Sequence, residues 1–453
     1  MKPLDDSWGE PLLTASPDAA AAFDGGVGAL ATLDGDPVSF AEKATAEDPE
    51  FVLAKCLSAQ AMLYPMTRRS RRDARDLLEG LSESGDRVDF RTRCHLSAAL
   101  AWADGDLHGA IGHFEACLLA HPRDLLAAKV VQDLYLFVGD SVNLRDCINR
   151  VFLSWSSELP GHGYLLAMRS FGLEENYCFE EAERLGMEAL SLNPRNVYAR
   201  HSIAHVYEML GNRTGGMSFL LQSKLDWVTS SSNIHMWWHL ALLHLDEADY
   251  DGAERIYDQQ LCGTRPVVMH DIVDRASLLW RLYLLGADVS ERGSRLWVDS
   301  QAFLDDGVYV FNEVHMVLSA LLGGRVSVAQ SLIDAMKSRI GNSHDSDLVV
   351  EVGVPLCNGL VHFAEGNFRE AVDLLLAIRQ RSAELGGSHA QRDVIFETTM
   401  VAAAAAGDED LTRALRGERI LTRPNWESPT LRLASAGRNW RKRRTLFATG
   451  VRR

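Results

Sequence analysis

Two short segments of this chain each carry a pair of histidines four residues apart. The first pair is His201 and His205, and the second is His235 and His239. On a helix, residues i and i+4 lie one above the other on the same face, so each pair presents two imidazoles together. Imidazoles in this arrangement suit zinc and other divalent transition metals. The spacing therefore makes these four residues candidate metal ligands.

A carboxylate and an aromatic side chain accompany the imidazoles. Glu208 lies one turn beyond His205, where it could act as a ligand or a base, whereas the zincin motif places its glutamate directly after the first histidine. Trp238 is expected to form core or the wall of a groove. His162 follows a Pro-Gly pair and either joins the histidines or caps a helix. The structural alternative is that the imidazoles hydrogen-bond to neighbouring carboxylates within tightly packed helices.

Charged and amide side chains also interrupt three otherwise apolar segments further along the chain. They are Asp271, Asp274, Arg281, Asn312, Glu313, His315, His389, Gln391, Arg392 and Asp393. Buried charges are costly unless they are paired. One interpretation is therefore an ion-pair network that fixes the register between helices. Its members would be Arg281 and Arg392 paired with Asp271, Asp274, Glu313 or Asp393.

The other interpretation of these side chains is a polar pocket. A guanidinium beside imidazoles suits a carboxylate or a phosphate, so the pocket would hold a small polar ligand or the end of a peptide. The sequence contains no GxGxxG after a strand, no GxxxxGK[ST] and no GxSxG. Its single serines and cysteines lie in no recognisable nucleophile context. The histidine, acid and arginine residues are therefore the candidates for chemistry.

Helical hairpins are expected to position these side chains. Residues 96–124 read as a helix, a turn at Gly105-Asp106, a second helix and a closing proline, which is the pattern of a tetratricopeptide unit. The next such turn, Gly139-Asp140, comes 34 residues later, which is the tetratricopeptide period. Similar turns follow at 176–177, 211–212, 248–250 and 366–367. One hairpin cannot bury its apolar face alone, so neighbouring hairpins stack.

The predicted fold class is therefore all-α, with a tetratricopeptide-like α-α superhelical solenoid as the architecture of the whole chain. Within it we assign 1–90 to divergent N-terminal helices, 91–420 to tetratricopeptide-like repeats and 421–453 to a C-terminal cap and basic tail. Residues 1–35 are rich in alanine, glycine and aspartate and are expected to pack loosely. Residues 80–90 are predicted to form a loop between helices.

Five long and irregular strings point to a family. They are AHVYEMLGN at 204–212, WWHLALLHLDEADYDGAERIYD at 237–258, DIVDRASLLWRLYLLG at 271–286, FNEVHM at 311–316 and GGSHAQRDVIFETTM at 386–400. Through them, the stretch from about His162 to Arg419 resembles the tetratricopeptide repeat protein 38 family. The resemblance implies a helical tetratricopeptide-like solenoid and supplies no established activity. The N-terminal third matches the family less clearly.

The composition indicates which binding partners to exclude and which cellular compartment to expect. The net charge of −16 argues against nonspecific binding to nucleic acid or anionic membranes. Seven scattered cysteines without a CxxC pair indicate reduced thiols. The N-terminus lacks the apolar core of a signal peptide, and no apolar stretch approaches the roughly 20 residues of a membrane span. We therefore expect a cytoplasmic protein with no nucleic-acid or membrane partner. Its acidity is compatible with a homodimer, and the basic run at 438–453 is interpreted as a solvated helix end.

Two functions follow from this sequence. The first is a tetratricopeptide-repeat scaffold that binds a protein, a peptide or a small polar ligand in its concave groove. The alternative is an enzyme whose active site of histidine, acid and arginine residues is enclosed by the superhelix. One version of this alternative is a metal-dependent enzyme. The scaffold predicts an open groove lined by exposed Asn, Lys and Arg. The enzyme predicts a closed polar cavity on which the imidazoles converge, and a purely structural polar core predicts complete pairing with no cavity.

Overall fold

The chain folds into helices, which confirms the predicted all-α class. A computed structural model describes residues 4–81, 88–263, 267–423 and 425. Within those ranges, strand structure is limited to one antiparallel pair, β1 (Leu4–Asp5) and β2 (Pro11–Leu12). The predicted loop at 80–90 falls largely on residues 82–87, and the basic tail falls on residues beyond 425, so both lie outside the described residues.

The helices divide into two compact units, each described here by itself. The first unit contains the chain up to Val206 together with Ser223–Asn233, and the second contains Tyr207–Gln222 and the chain from Ile234 onward. The assignment of the whole chain to one solenoid stays a prediction. So do its proposed subdivisions.

Ten helices of the first unit precede the boundary in the described part of the chain. They are α1 (Pro17–Thr32), α2 (Pro37–Glu47), α3 (Val52–Leu63), α4 (Arg68–Leu78), α5 (Phe90–Asp104), α6 (Leu107–Ala120), α7 (Leu125–Phe137), α8 (Ser141–Phe152), α9 (His162–Glu174) and α10 (Phe179–Leu192). The boundary falls within α11 (Val197–Met209). Helix α12 (Arg213–Gln222) belongs to the second unit, and the short α13 (Lys224–Trp227) belongs to the first.

The remaining helices build the second unit. They are α14 (Asn233–Asp246), α15 (Tyr250–Ile256), α16 (Met269–Leu284), α17 (Ser290–Ser300), α18 (Val310–Leu322), α19 (Val326–Ser338), α20 (Ser346–Leu348), α21 (Val354–Glu365), α22 (Phe368–Ile378), α23 (His389–Ala406) and α24 (Glu409–Thr422). Single π turns at Tyr257–Leu261 and Val349–Gly353 extend α15 and precede α21, and 3-10 turns occupy Gln301–Phe303 and Arg379–Leu385.

The predicted turns between paired helices are confirmed. Gly105 ends α5 in the left-handed conformation with a φ of 90°, which glycine adopts without the steric cost of a Cβ atom. Asp106 then begins α6, because its side chain accepts a hydrogen bond from the amide of Gly109 at 2.8 Å. Asp140 and Asp249 cap α8 and α15 in the same way. At this turn, Gly105 therefore ends α5 and the adjacent Asp106 begins α6.

The N-terminal helices of the first unit pack closely, so the expectation of loose packing over residues 1–35 is wrong. Phe23 and Val27 of α1 are fully buried, and α1 contacts α2, α3 and α7. Gly25 of α1 lies against the ring of Phe40 on α2, and Gly26 lies against Leu57 on α3, so an added Cβ atom at either position would clash. The small residues that suggested looseness instead allow α1 and α2 to approach each other closely.

Four helices of the second unit form a closed set. Helix α16 packs against both α18 and α23, while α21 packs against α18 and α23. In a stack of hairpins, successive hairpins contact their neighbours, so the contact between α16 and α23 joins segments that the repeat pattern alone does not bring together. A hydrogen bond of 2.9 Å from Trp280 Nε1 to Thr398 Oγ1 ties these two helices in their buried core. The solenoid arrangement itself stays a prediction.

One helical run among the described residues has the length and composition to cross a membrane. It is Ser346–Glu365, with 20 residues, so the expectation that no apolar stretch approaches this length is corrected. Within the second unit, 56% of this run is buried, and its α21 portion packs against α18, α19 and α22. Burial of this kind is typical of a core helix, which meets the same criteria of length and composition.

Candidate functional site

The second unit brings His235 and His239 of α14 together, as their spacing predicts. Their Nε2 atoms lie 3.2 Å apart. The Nδ1 atom of His235 lies 3.0 Å from a carboxylate oxygen of Asp274 on α16, and Nδ1 of His239 lies 3.2 Å from Oε2 of Glu208. The side chain of His239 is 1% exposed and that of His235 is 20% exposed, so the pair reaches solvent through one ring. Each imidazole is therefore held by its own carboxylate.

This arrangement determines what can lie between the two rings. Ionised carboxylates only accept hydrogen bonds, so the Nδ1 atoms of His235 and His239 carry protons. The two Nε2 atoms then face each other with their lone pairs. A proton on one ring, or a metal ion bound to both rings, stabilises this arrangement. Two imidazoles on a tetrahedral zinc ion, at roughly 2.0–2.1 Å each, have their nitrogens about 3.3 Å apart, close to the distance seen here.

The first unit repeats the pattern with His201 and His205 of α11. Their Nε2 atoms lie 2.9 Å apart. Nδ1 of His205 lies 3.3 Å from Oε2 of Glu174 and 3.8 Å from Oε1 of Glu175, at the end of α9. Both rings pack against Phe171, with ring centroids 5.6 and 5.7 Å away. His205 thus also lies beside carboxylates at the end of a neighbouring helix. Because the two histidine pairs belong to different units, their meeting in one groove stays a prediction.

The described residues of the first unit contain two groups that could hold a metal ion. One is Glu174, Glu175 and His205, whose ligand atoms lie within 4.8 Å of one another. The other is His95, Cys117 and Asp124. In this second group, however, Asp124 already pairs with the Arg91 guanidinium at 2.7 Å, which places a positive charge where an ion would bind. The group around His205 is therefore the better fit to a metal.

A chain of polar contacts continues from the second-unit histidines into a cluster of acids and arginines. Glu208 contacts His239 through Oε2, and its Oε1 lies 3.6 Å from Nη2 of Arg423. Arg423 also pairs with Asp246 at 3.2 Å and with Asp393 at 2.9 Å. A small cleft opens at this cluster, and we refer to it as the acid–arginine cleft. Its polar lining residues are Glu208, Asp246, Arg281, Asp393, Glu397 and Arg423.

Two carboxyl groups of this cleft have raised pKa values. Burial and the neighbouring Asp393 charge together raise the pKa of Glu397 to about 7, although Arg281 opposes the shift. Burial likewise raises the pKa of Asp246 to about 6 although Arg423 opposes the shift. Raised pKa values of this kind concentrate at functional sites. The cleft therefore contains two groups that change charge near neutral pH.

The predicted ion-pair network exists, but its partners differ from those expected. Arg281 pairs with Glu397 at 3.3 Å, a residue that the sequence analysis did not select. Asp393 pairs with Arg419 and Arg423 from the C-terminal end of the described chain. The partners expected for Arg281 and Asp393 were wrong, because helix periodicity gives the face on which a residue lies and leaves the opposing helix undetermined.

Several other candidates have local structural roles. Asp271 accepts a hydrogen bond from the amide of Val268 at 3.0 Å and so caps α16. Glu313 pairs with Arg339, and Asn312 is half-buried on α18. His315 donates through Nδ1 to the Phe311 carbonyl at 2.8 Å, and burial lowers its pKa to about 4, so its ring is neutral at pH 7. These contacts give Asp271, Glu313 and His315 a partner within the second unit, while Nε2 of His315 is buried without a hydrogen bond among the described residues.

The remaining candidates have local contacts of their own. Gln391 accepts from the amide of Ser388 at 3.0 Å in a capping box that begins α23. Its neighbours Arg392 and His389 contact each other at 3.4 Å. His162, the first residue of α9, packs on Phe152 with ring centroids 5.5 Å apart.

Trp238 forms a wall of the second-unit histidine site. It is fully buried, and its indole stacks on the His235 ring at 5.2 Å with an interplanar angle of 14°. On another side, the Arg281 guanidinium lies 5.6 Å from the indole. Trp238 therefore separates the imidazole pair from the arginine as part of the core, as the sequence analysis expected of it.

Sequence reasoning missed the acids that complete both sites. Glu174 and Glu175 are buried although they precede a turn, and the signal was two adjacent acids at the end of an apolar helix. Glu397 sits in the apolar stretch VIFETTM, where an isolated acid could have been noticed. Arg423 follows the last helix and carried no signal, because its partners lie far away in sequence.

No protein-family model matches this chain. Membership of the tetratricopeptide repeat protein 38 family therefore stays the proposal that the five strings support.

Proposed function

We propose that this chain is a helical-repeat protein that binds a divalent transition metal ion through its histidine pairs. The observation that carries the proposal is the facing of His235 Nε2 and His239 Nε2 at 3.2 Å while carboxylates hold both Nδ1 atoms. Metal-bound histidines usually donate their other ring N–H to a carboxylate or carbonyl, which orients the ring and raises its basicity. The Asp274 and Glu208 carboxylates supply that support here.

The His201 and His205 pair offers the same imidazole donors in the first unit, with Glu174 and Glu175 beside His205. Imidazole and carboxylate together suit zinc, iron, nickel or copper ions. A bound ion of this kind polarises carbonyl or phosphoryl groups and lowers the pKa of a bound water. The proposal thus favours the enzyme alternative, with metal-dependent chemistry on a small polar ligand.

Finer features of the chain belong to the same proposal. We infer a tetratricopeptide-like stacking of the hairpins and a kinship with the tetratricopeptide repeat protein 38 family. A reducing compartment such as the cytoplasm is supported by the seven cysteines, all of which are free. The groove for a protein or peptide partner stays a prediction from the repeat pattern. The homodimer stays a prediction from the acidity of the chain.

Elemental analysis of the full chain purified without chelator tests the metal. We expect zinc or another transition ion in stoichiometric amount, with a marked loss in His239→Ala. The matched control is His244→Ala on the same helix, because His244 pairs with Asp249 outside the site and its loss should leave the metal content unchanged. In the first unit, His205→Ala and the exposed His113→Ala form the corresponding pair.

Cobalt replacement sharpens the test, because its visible absorption reports coordination by nitrogen and oxygen. Bands that appear in the wild type and disappear in His239→Ala would support direct ligation. Two outcomes count against the proposal: protein without metal that takes up none from a zinc or cobalt titration, and equal metal content in His239→Ala and His244→Ala when both variants are folded by circular dichroism.

A further inference from the structure

The acid–arginine cleft of the second unit contains an acceptor that its own arginines do not satisfy. Oδ2 of Asp393 accepts from Arg419 and Arg423. Oδ1 of the same carboxylate is buried and has no hydrogen-bond partner within the described part of the chain. The side chain of Asp393 is 5% exposed and lines the cleft. Buried carboxylate oxygens normally have donors, and a ligand in the cleft would supply the one that the described residues do not.

The guanidinium groups at the cleft direct much of their donor capacity elsewhere. Nη2 of Arg281 donates to the carbonyl of Ala390 at 2.7 Å, and its Nη1 donates to Ser277. Nη2 of Arg423 donates to the backbone carbonyl of Glu208 at 2.9 Å. These donors hold backbone and hydroxyl groups in place. The lining of the cleft contains four carboxyl groups and two guanidinium groups.

The rest of the cleft wall is apolar. It is formed by Leu242 and Leu245 of α14 and by Leu285 at the end of α16. A bare inorganic cation would use the carboxylates and leave these side chains without a role. An organic cation with a short hydrocarbon chain would use both walls, since apolar surface gains free energy when it leaves water.

We propose that the acid–arginine cleft binds a primary alkylammonium group, carried either by a free short-chain amine or by a lysine side chain. The ammonium supplies three N–H donors. Asp393 Oδ1 accepts one of them, the neighbouring Glu397 and Asp246 carboxylates accept the others, and the hydrocarbon chain lies on the three leucines. The inference is independent of the metal proposed above, because no imidazole takes part in it.

The charge state of the cleft supports this ligand and adds a pH dependence. Glu397 of α23 faces Asp393 on its own helix, Arg281 on α16, Arg419 on α24 and Asp246 on α14. With pKa values of about 7 for Glu397 and about 6 for Asp246, both carboxyls lose their protons as the pH rises from 6 to 8. Ammonium binding should therefore strengthen about tenfold over this interval, in step with ionisation of Glu397.

A ligand-observed NMR titration of the full chain tests the proposal, with n-butylamine and N-acetyl-lysine amide as the two probes. The protein is treated with chelator first, so that amine binding to a metal cannot contribute and a failure of the metal proposal leaves this test intact. We expect a dissociation constant on the order of 1 mM for a probe of this size at pH 8. n-Butanol, which has the same chain without the charge, should bind at least tenfold more weakly.

The variant Glu397→Gln removes one carboxylate with little change of shape and should weaken n-butylamine binding about tenfold at pH 8. Glu384→Gln is its control, because Glu384 pairs with Arg381 on the exposed surface of the same unit. Binding of n-butylamine alone would assign the cleft to free amines, and binding of the lysine amide as well would assign it to lysine side chains. Equal affinity for n-butylamine and n-butanol, or an unchanged affinity in Glu397→Gln, would overturn the proposal.

Discussion

The first unit buries Arg91 between Asp6 and Asp124, whereas the second unit buries Arg423 among Asp246, Asp393 and Glu208. In the first cluster, Arg91 contacts Asp124 at 2.7 Å, Asp6 at 2.8 Å and the Pro11 carbonyl at 3.1 Å. None of the polar atoms of these three charged side chains is buried without a partner. In the second cluster, Asp393 Oδ1 and Arg423 Nε are buried without a hydrogen bond in the described part of the chain.

The same residue types therefore serve two purposes. Around Arg91 each guanidinium nitrogen has an acceptor, and the network joins the chain around β1 and β2 to α5 and to the start of α7 as a structural connection. Around Arg423 one acceptor and one donor lack a hydrogen bond among the described residues, and a cleft opens beside them. Complete pairing indicates a structural network, while incomplete pairing next to a cleft indicates a binding site.

The largest change in stability is expected from a substitution in the Arg91 cluster of the first unit. Removal of Arg91 leaves Asp6 and Asp124 as uncompensated buried charges, so Arg91→Ala should lower the free energy of unfolding of the first unit by about 3–5 kcal/mol. Urea unfolding followed by circular dichroism measures it. The exposed Arg93→Ala on the same helix is the control. Equal unfolding midpoints for the two variants would show that the Arg91 network is not structural.

The next effect concerns the pH dependence of the second unit. Since the folded-state pKa of Glu397 is about 7 against an ordinary 4.5, the fold favours its protonated form. This contribution to stability is fully present below pH 4.5, declines as the pH rises to about 7 and is absent above it. The decline is on the order of 3 kcal/mol. Glu397→Gln should therefore unfold at a higher urea concentration than the wild type at pH 8. The gain should vanish at pH 4.5, and a gain that is the same at both pH values would contradict the raised pKa.

A smaller effect is expected at the carboxylate that holds His235. Asp274→Asn keeps the shape of the side chain and removes the charge that orients the imidazole. Loss of such support typically weakens metal affinity tenfold to a hundredfold. Competition titration with a zinc indicator measures this change. Asp249→Asn, at the acid that pairs with His244, is the control, and equal affinities for the two variants would mean that His235 does not bind metal.

The smallest effect is expected on the surface, where the same charged residues are exposed. Arg184 contacts Glu181 and Glu188 at 2.7 and 3.1 Å on α10, with all three side chains about half exposed. Water and salt screen such pairs, so Arg184→Ala should leave the urea midpoint unchanged within error. A clear loss of stability in Arg184→Ala would mean that an ion pair stabilises this protein whether it is buried or exposed. The comparison between the two buried clusters would then be weaker.

Much of the local structure could be predicted from the sequence. The turn at Gly105-Asp106 required only one glycine in the left-handed region and one aspartate that caps the next helix. The pairing of His235 with His239 required only helix periodicity, and their Nε2 atoms do converge. Loose packing of α1 was predicted wrongly, because small residues also permit close helix contacts, and composition does not distinguish the two cases.

The sequence by itself determined the helices, their ends and the side chains that share a face, because these depend on interactions over a few residues. Only the tertiary structure decided which acid meets which base. The guanidinium of Arg423 reaches the carbonyl of Glu208 across 215 residues of chain, and Arg281 meets Glu397 of a helix far along the sequence. Such pairs depend on how helices pack, and packing follows from the shapes of many side chains at once rather than from any local pattern.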